Sequence, residues 1–187
     1  MATRRDVLAP RPGRPGRLVT RCIGCGAEVP DVDGPTHAYI EASPGCWELM
    51  GELGVRFVPG APAAIVHQVD AYAVQHPGGA ERDRRQRQSV AVHLIALCLF
   101  HEAALPPGEA IPVRRRALEV VLPRFGLADW PYLSPPAPRA QVTAADLYLA
   151  TDEEYAGVLE QWLDDAWSAW SDLHPTIRAW AAAVRPR

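Results

Sequence analysis

The 187-residue sequence contains no lysine, so all 19 of its basic side chains are arginines. The formal net charge is −3, and a chain with this balance has no overall positive field that would recruit nucleic acid. Arginine clusters do occur at residues 82–87 and 114–116. We interpret them as solvated helix edges and do not expect nucleic-acid binding.

Long apolar runs are also absent. No stretch reaches the roughly 18 apolar residues that a membrane span needs, and the arginine-rich start of the chain lacks the apolar segment of a secretory signal. A hydrophobic fraction of 48% and a charged fraction of 22% are typical of a soluble globular protein with a single core. We therefore expect a cytoplasmic protein that does not bind membranes.

Strand signals and internal repeats are missing as well. No segment shows a convincing polar/apolar alternation of period two, and no period of 20–50 residues recurs. The sequence predicts a mainly α-helical fold: a flexible Arg/Pro-rich arm over residues 1–20, then a single helical domain over residues 21–187 that includes an N-terminal metal loop at residues 22–46. The predicted helices are Cys46–Val55, Ala63–His76, Ser89–Ala104, Val113–Phe125, one from Thr143 that His174 and Pro175 break, and Thr176–Val184. Ser89–Ala104, with Ser89 as its N-cap, is apolar on nearly every face and should form the centre of the core.

The chain carries no phosphate-binding glycine loop, nucleophile elbow or Ser–His–Asp set, but it does carry a cysteine motif. Cys22 and Cys25 lie in CIGCG, where a tight turn can aim both sulfurs at one cation. His37 and Cys46 are the nearby side chains able to complete a tetrahedral set, because Cys98 lies far along the chain in an apolar run. Mixed sulfur and nitrogen donors favour zinc. We predict a zinc site made by Cys22, Cys25, His37 and Cys46.

Two other interpretations of this motif remain open: free thiols in a reduced loop, or a redox-active pair. A thioredoxin-like pair lies between a strand and a helix, whereas Pro30 and Pro35 indicate a loop here. The metal site is therefore the favoured interpretation. A zinc ion held by four side chains more often stabilises a fold than catalyses a reaction.

Ionisable residues within apolar helices mark a second candidate site. Asp70, His76 and His93 can converge between two antiparallel helices and form a catalytic pocket for acid–base chemistry or a second metal. His67, three residues before Asp70, is placed to pair with its carboxylate. The alternative is that each histidine is a core residue bonded to a carbonyl or a water. His174, at the end of an apolar stripe, is expected to cap a helix C-terminus.

Six blocks of the sequence resemble an uncharacterised bacterial domain-of-unknown-function family. They are CIGCGAEVP, DGPTHAYI, SPGCWEL, VDAYAVQHPG, RQSVAVHLIALC and LHPTIRAW. The resemblance covers about residues 21–184, and its pattern falls on Cys22, Cys25, His37, Cys46, Asp70, His76, His93 and His174. This sequence departs from the family pattern at one point: where the pattern has two consecutive histidines before the last helix, this chain has Leu173 and His174. The resemblance implies that the metal loop and the helical Asp/His residues belong to one recurring unit, and it supplies no activity.

Two classes of function are compatible with these features. The first is a small zinc-binding enzyme, hydrolase-like in type, in which Asp70, His76 and His93 line a pocket for a small polar substrate and activate water. The second is a non-catalytic, zinc-stabilised helical module that binds a protein or a small ligand. A solvent-reached cavity at the histidines favours the enzyme, whereas full burial favours the module.

Overall fold

The computed structural model describes residues 19–78, 83–137 and 141–185, and this part of the chain is mainly α-helical. The predicted fold class is therefore confirmed. The α-helices are α1 (Pro44–Val55), α2 (Gln68–Gln75), α3 (Arg84–Ala103), α4 (Ala110–Arg124), α5 (Ala144–Leu149), α6 (Tyr155–Ser168) and α7 (His174–Val184). Short 3-10 turns at Ala63–His67, Pro107–Glu109 and Ser171–Leu173 lead into α2, α4 and α7.

A small antiparallel hairpin at the start of the described chain was not predicted. Strands β1 (Val19–Arg21) and β2 (Glu28–Pro30) pair with Thr20 opposite Val29. Three-residue strands are too short to show a convincing alternation in sequence. Most of the predicted Arg/Pro-rich arm, residues 1–18, lies outside the described residues, and Val19 and Thr20 belong to β1. The hairpin connection carries Cys22 and Cys25.

Helix α3 is the centre of the core, as the sequence predicts. It packs against α2, α4, α6 and α7, and its residues from Val90 to Leu99 are buried except for His93. The predicted start at Ser89 is wrong, because the helix begins at Arg84. Asp83 is the N-cap, and its carboxylate accepts hydrogen bonds from the backbone N–H groups of Arg85 and Gln86. The additional turn is polar, so the apolar pattern could not reveal it.

The predicted helix Ala63–His76 is divided in the structure. Residues Ala63–His67 form a 3-10 turn, and α2 follows and ends at Gln75. His76 is the C-cap residue, and Pro77 then prevents the helix from continuing. This short helix packs closely on α3. It carries Asp70 in its first turn, and His76 follows directly at its end.

The other helix boundaries differ modestly from the predictions. Helix α4 begins three residues before Val113, the segment after Thr143 forms two helices, and α7 begins at His174 with Pro175 in its first turn. Proline fits the first turn of a helix, where a free N–H is not needed. None of the helices in the described ranges is long and apolar enough to span a bilayer.

Candidate metal centre and the adjoining histidine cleft

Four side chains from three separate parts of the chain form a Cys₃His group. They are Cys22 and Cys25 from the hairpin connection, Cys46 from the first turn of α1, and His76 from the end of α2. Each offers one ligand atom, and these atoms all lie within 4.8 Å of one another. Within residues 19–78, 83–137 and 141–185, no second group of Cys, His or acidic side chains has this geometry. The group can hold a metal ion.

The backbone around Cys22 forms a tight turn that directs its sulfur inward. The Cys22 N–H donates to the Ala27 carbonyl at 2.8 Å, and the Gly26 N–H donates to the Cys22 carbonyl at 2.9 Å. A further backbone N–H, that of Ser43, donates to Cys22 Sγ at 3.5 Å. On the other side, the Tyr72 hydroxyl donates to Cys46 Sγ at 3.6 Å. Such donors stabilise negative charge on sulfur and orient it.

The orientation of His76 is set by a hydrogen bond on the far side of its ring. Nδ1–H donates to the carbonyl oxygen of Tyr72 at 2.6 Å, one helical turn earlier. In the neutral ring, this bond leaves the lone pair on Nε2, which lies 3.5 Å from Cys22 Sγ and 3.4 Å from Cys46 Sγ. Histidines that bind metals usually donate their other N–H to a carbonyl or carboxylate, which fixes the tautomer. His76 therefore presents the nitrogen that a cation needs.

The four donors compete for protons and charge. Hydrogen bonds from Cys25 and Cys46 hold the pKa of Cys22 well below its usual value, against the effect of burial. Hydrogen bonds with Cys22 and Cys25, together with burial, raise the pKa of Cys46 far above its usual value. Burial opposes a charged His76, but its contacts with Cys22 and Cys25 raise its pKa to about 9. A divalent cation would relieve this competition, because it stabilises several thiolates at once.

The sequence analysis named His37 as the fourth donor, and the structure does not bring it into this group. The backbone of His37 pairs with Ile40 in an isolated bridge. Its Nδ1 accepts a hydrogen bond from the Tyr39 N–H at 3.5 Å, and its ring packs 5.1 Å from the Trp47 ring. His37 is close to the cysteines in sequence, whereas His76 reaches them through the packing of α2. The other three predicted donors do lie together.

A second polar cluster surrounds Asp70, which is fully buried. His67 Nδ1–H donates to Asp70 Oδ2 at 2.8 Å, and His93 Nδ1–H donates to Asp70 Oδ1 at 2.6 Å. The Arg114 guanidinium forms an ion pair with the same carboxylate, with Nε 3.1 Å from Oδ1. Burial alone would raise the pKa of Asp70, but these two histidines and Arg114 outweigh it and lower that pKa. Asp70 is therefore an ionised carboxylate in the core.

The predicted group of Asp70, His76 and His93 is thus divided between two sites. Asp70 and His93 are in direct contact. His67 and Asp70, which the three-residue spacing predicted to pair, are also hydrogen-bonded. His76 belongs to the cysteine group, and within the described residues it makes no hydrogen bond to Asp70 or His93. Arg114 was missed, because its place in an arginine run indicated a solvated edge. Its partner depends on how α4 packs beside α2, which no sequence pattern carries.

His93 connects the buried cluster to solvent. Its side chain is 15% exposed, against 0% for Asp70, and it lines an open cleft of about 380 Å3. Within the described residues, Nε2 of His93 has no hydrogen-bond partner, and the hydrogen bond to Asp70 is made by Nδ1. The cleft lies along α3 and is lined by Tyr39, Arg85, Gln88, Ser89, Val92, His93 and Leu118. An imidazole held by a buried carboxylate thus faces a space large enough for a small ligand.

Comparison with models of known protein families identifies the family of this chain. A model for a family of unknown function, DUF5946, matches residues 20–171. The chain belongs to this family. The match includes the Cys₃His group as well as Asp70, His93 and Arg114, so both sites lie within the DUF5946 region. No curated protein and no solved structure matches the chain.

His174 lies beyond the DUF5946 match and has the environment of a capping residue. Its Nε2–H donates to the carbonyl of Trp167 at 3.1 Å, in the last turn of α6. The two rings stack with their centroids 3.7 Å apart. This agrees with the expected interaction of an imidazole with the carbonyls at a helix C-terminus, and the Trp167 carbonyl also accepts the Trp170 N–H at 3.1 Å.

Proposed function

We propose that this protein is a small zinc-stabilised enzyme in which His93, oriented by Asp70, acts as a general base on a small polar substrate. The zinc ion would be held by Cys22, Cys25, Cys46 and His76. The observation that carries the proposal is the path from the buried Asp70 carboxylate through His93 to an open cleft.

The donor chemistry supports zinc as the metal. Three sulfurs and one imidazole nitrogen form a soft, mixed set that suits zinc in tetrahedral geometry. Four protein donors complete that geometry and leave no position for a water, which is typical of structural zinc sites. The donors come from the hairpin connection, from α1 and from the end of α2, so the ion would hold the hairpin against α1 and against α2, which carries Asp70.

The location of Asp70 supports a catalytic role for the second site. An ionised carboxylate in a protein core is costly unless it is paired and hydrogen-bonded. Here it accepts the Nδ1–H of His93 at 2.6 Å and leaves Nε2 as the basic nitrogen. Perturbed ionisable groups beside a cleft are typical of functional sites.

The chemistry available to this pair is proton transfer. His93 Nε2 can take a proton from a water molecule or a substrate hydroxyl in the cleft, and Asp70 can stabilise the imidazolium that results. The proton then passes from His93 to the leaving group. In a hydrolysis, the attacking water forms the new bond to the carbonyl carbon, and the alcohol or amine leaves with that proton. The zinc ion takes no part in this step.

A histidine substitution with a matched control tests the proposal. The purified zinc-loaded protein would be assayed against 4-nitrophenyl esters and 4-nitroanilides, together with His93→Gln and His101→Gln. His101 lies on the same helix and is also half-buried, but its Nε2 bonds to the Leu163 carbonyl at 3.2 Å, away from the cleft. We expect His93→Gln to lower kcat/KM by about 100-fold or more and His101→Gln to leave it nearly unchanged. Equal effects of the two substitutions, or the absence of turnover by the wild type, would contradict a general-base role.

The runner-up function is a non-catalytic, zinc-stabilised binding module. Arg114 favours this alternative, because its ion pair with Asp70 neutralises the buried charge without any ligand. A cluster satisfied in this way can serve the fold alone. In that case His93→Gln would lower the free energy of unfolding by leaving Asp70 under-bonded, and the ester assays would show no turnover that depends on His93.

A further inference from the structure

The cleft beside His93 follows one face of α3. Arg85, Ser89 and His93 are each four residues apart, so their side chains lie in a row along this face. Arg85 stands at one end of the row and His93 at the other. Eight residues of α-helix span about 12 Å, which makes the cleft an elongated groove with different chemistry at its two ends.

Arg85 gives one end of the groove a positive charge that no side chain in the described part of the chain neutralises. Within the described residues, its guanidinium has no hydrogen-bond or ion-pair partner, whereas Arg84 pairs with Asp129 and Arg115 pairs with Glu119. Among the described residues that line the cleft, none carries a carboxylate. The Asp83 carboxylate, at the start of α3, accepts hydrogen bonds from the backbone N–H groups of Arg85 and Gln86 and makes no ion pair with the Arg85 guanidinium. Asp70, which contacts His93, is fully buried and paired with Arg114.

The middle of the groove is suited to an uncharged chain. Val92 and Leu118 provide apolar walls, and Ser89 offers a hydroxyl between them. The volume of about 380 Å3 is near the lower limit for small-molecule pockets. A polymer is therefore a poor fit, and a short, extended molecule is a good one.

We propose that the cleft binds a small elongated anion, with its carboxylate or phosphate at Arg85 and its uncharged reacting group at His93. This inference rests on the proposed function for the direction of the ligand, since His93 marks the reacting end. A charge-assisted hydrogen bond to Arg85 would fix that direction. The acidic group would serve for recognition only, so it would be unchanged by the reaction.

Binding can be measured without turnover by isothermal titration calorimetry on the zinc-loaded full chain. The ligands are monomethyl adipate as a carboxylate, hexyl phosphate as a phosphate, and dimethyl adipate as the neutral analogue. The variants are Arg85→Gln and Arg84→Gln, which remove the same charge at neighbouring positions. Arg84 serves as the control because it pairs with Asp129 and does not line the cleft.

We expect the wild type to bind at least one of the two anions about tenfold more tightly than dimethyl adipate. Arg85→Gln should remove this preference and Arg84→Gln should retain it. Preference for only one anion identifies which acidic group the cleft accepts. Equal binding of anion and neutral ester, no binding of any of the three, or equal effects of the two substitutions would overturn the inference.

The outcomes for this inference and for the proposed function are separable. Turnover that depends on His93 without any preference for anions would leave the general base standing and remove the anion site. Anion binding that depends on Arg85, without turnover by the wild type, would support the anion site and contradict the general base.

Discussion

Gly24 and His76 approach so closely that a Cβ atom on Gly24 would lie 2.3 Å from Cδ2 of the His76 ring and 2.2 Å from the Glu41 carbonyl oxygen. Only a residue without a side chain fits at this point of the Cys22–Cys25 turn. The imidazole that completes the Cys₃His group therefore depends on a glycine 52 positions away in the sequence.

Gly24→Ala should displace His76 and weaken metal binding. We expect a lower zinc content after dialysis against a mild chelator and a loss of stability of about 1–3 kcal/mol from overpacking. Gly51→Ala is the control, because no atom lies within 4 Å of a Cβ at this exposed position in α1. It should retain zinc and raise stability by about 0.5–1 kcal/mol, since alanine is the better helix former. Equal zinc retention by both variants would show that the close approach is unimportant.

Leu97 tests whether α3 is the centre of the core. Its side chain is fully buried, so Leu97→Ala should leave a cavity and cost about 2–5 kcal/mol in the free energy of unfolding. Ile111, which is 74% exposed on α4, provides a control that should change stability by no more than about 0.5 kcal/mol on substitution by alanine. Urea denaturation of both variants measures the difference. A loss below about 0.5 kcal/mol for Leu97→Ala would make α3 peripheral.

The sequence was informative about features that depend on local pattern. Apolar side chains on nearly every face identified α3 as the buried helix, and the spacing of Cys22, Cys25 and Cys46 identified three donors of one group. The Asp83 cap was missed because the first turn of α3 is polar and rich in arginine. A polar turn adds no apolar residues to the helical periodicity, so the buried stripe does not reveal where the helix begins.

Features that depend on tertiary packing were beyond the sequence. His37 lies within the predicted metal loop and His76 at the end of a predicted helix, and only the position of α2 against the hairpin selects His76. Arg114 lies in a run with Arg115 and Arg116, and nothing in that run distinguishes the member that pairs with Asp70. If α4 were rotated about its axis by the angle of one residue, a neighbouring arginine would face Asp70 in place of Arg114. Residue type and spacing therefore do not decide which arginine pairs with Asp70.

The Asp70 cluster predicts a specific dependence of stability on pH. Asp70→Asn removes the buried partner of Arg114 and should cost about 3–5 kcal/mol at pH 7. The pKa of Asp70 is lowered in the folded state, so its contribution is present above the usual aspartate pKa of about 3.9 and is lost as the pH falls through the folded value. The gap between wild type and Asp70→Asn should therefore narrow below about pH 4.

Urea denaturation between pH 7 and pH 3 measures this gap. Asp129→Asn is the control, because its carboxylate pairs with Arg84 and Arg87 at the surface and should contribute much less. A gap for Asp70→Asn that stays constant to pH 3, or one no larger than that of Asp129→Asn, would contradict an ionised, stabilising Asp70.

Two histidine substitutions test whether the fourth metal ligand is His37, which is close to the cysteines in sequence, or His76, which packing brings to them. His76→Gln should reduce the zinc content of the purified protein and lower its thermal stability, because the fourth donor is lost. His37→Gln should leave the zinc content unchanged, since His37 lies outside the group. Metal analysis by mass spectrometry of both variants gives the comparison. Loss of zinc from His37→Gln with retention by His76→Gln would reverse the assignment.

X-ray absorption at the zinc edge of the purified wild-type protein examines the metal centre itself. We expect one zinc ion per chain with three sulfur ligands near 2.3 Å and one nitrogen ligand at about 2.0–2.1 Å, supplied by Cys22, Cys25, Cys46 and His76. A protein purified without metal, or a zinc ion surrounded mainly by oxygen and nitrogen, would contradict the proposed centre.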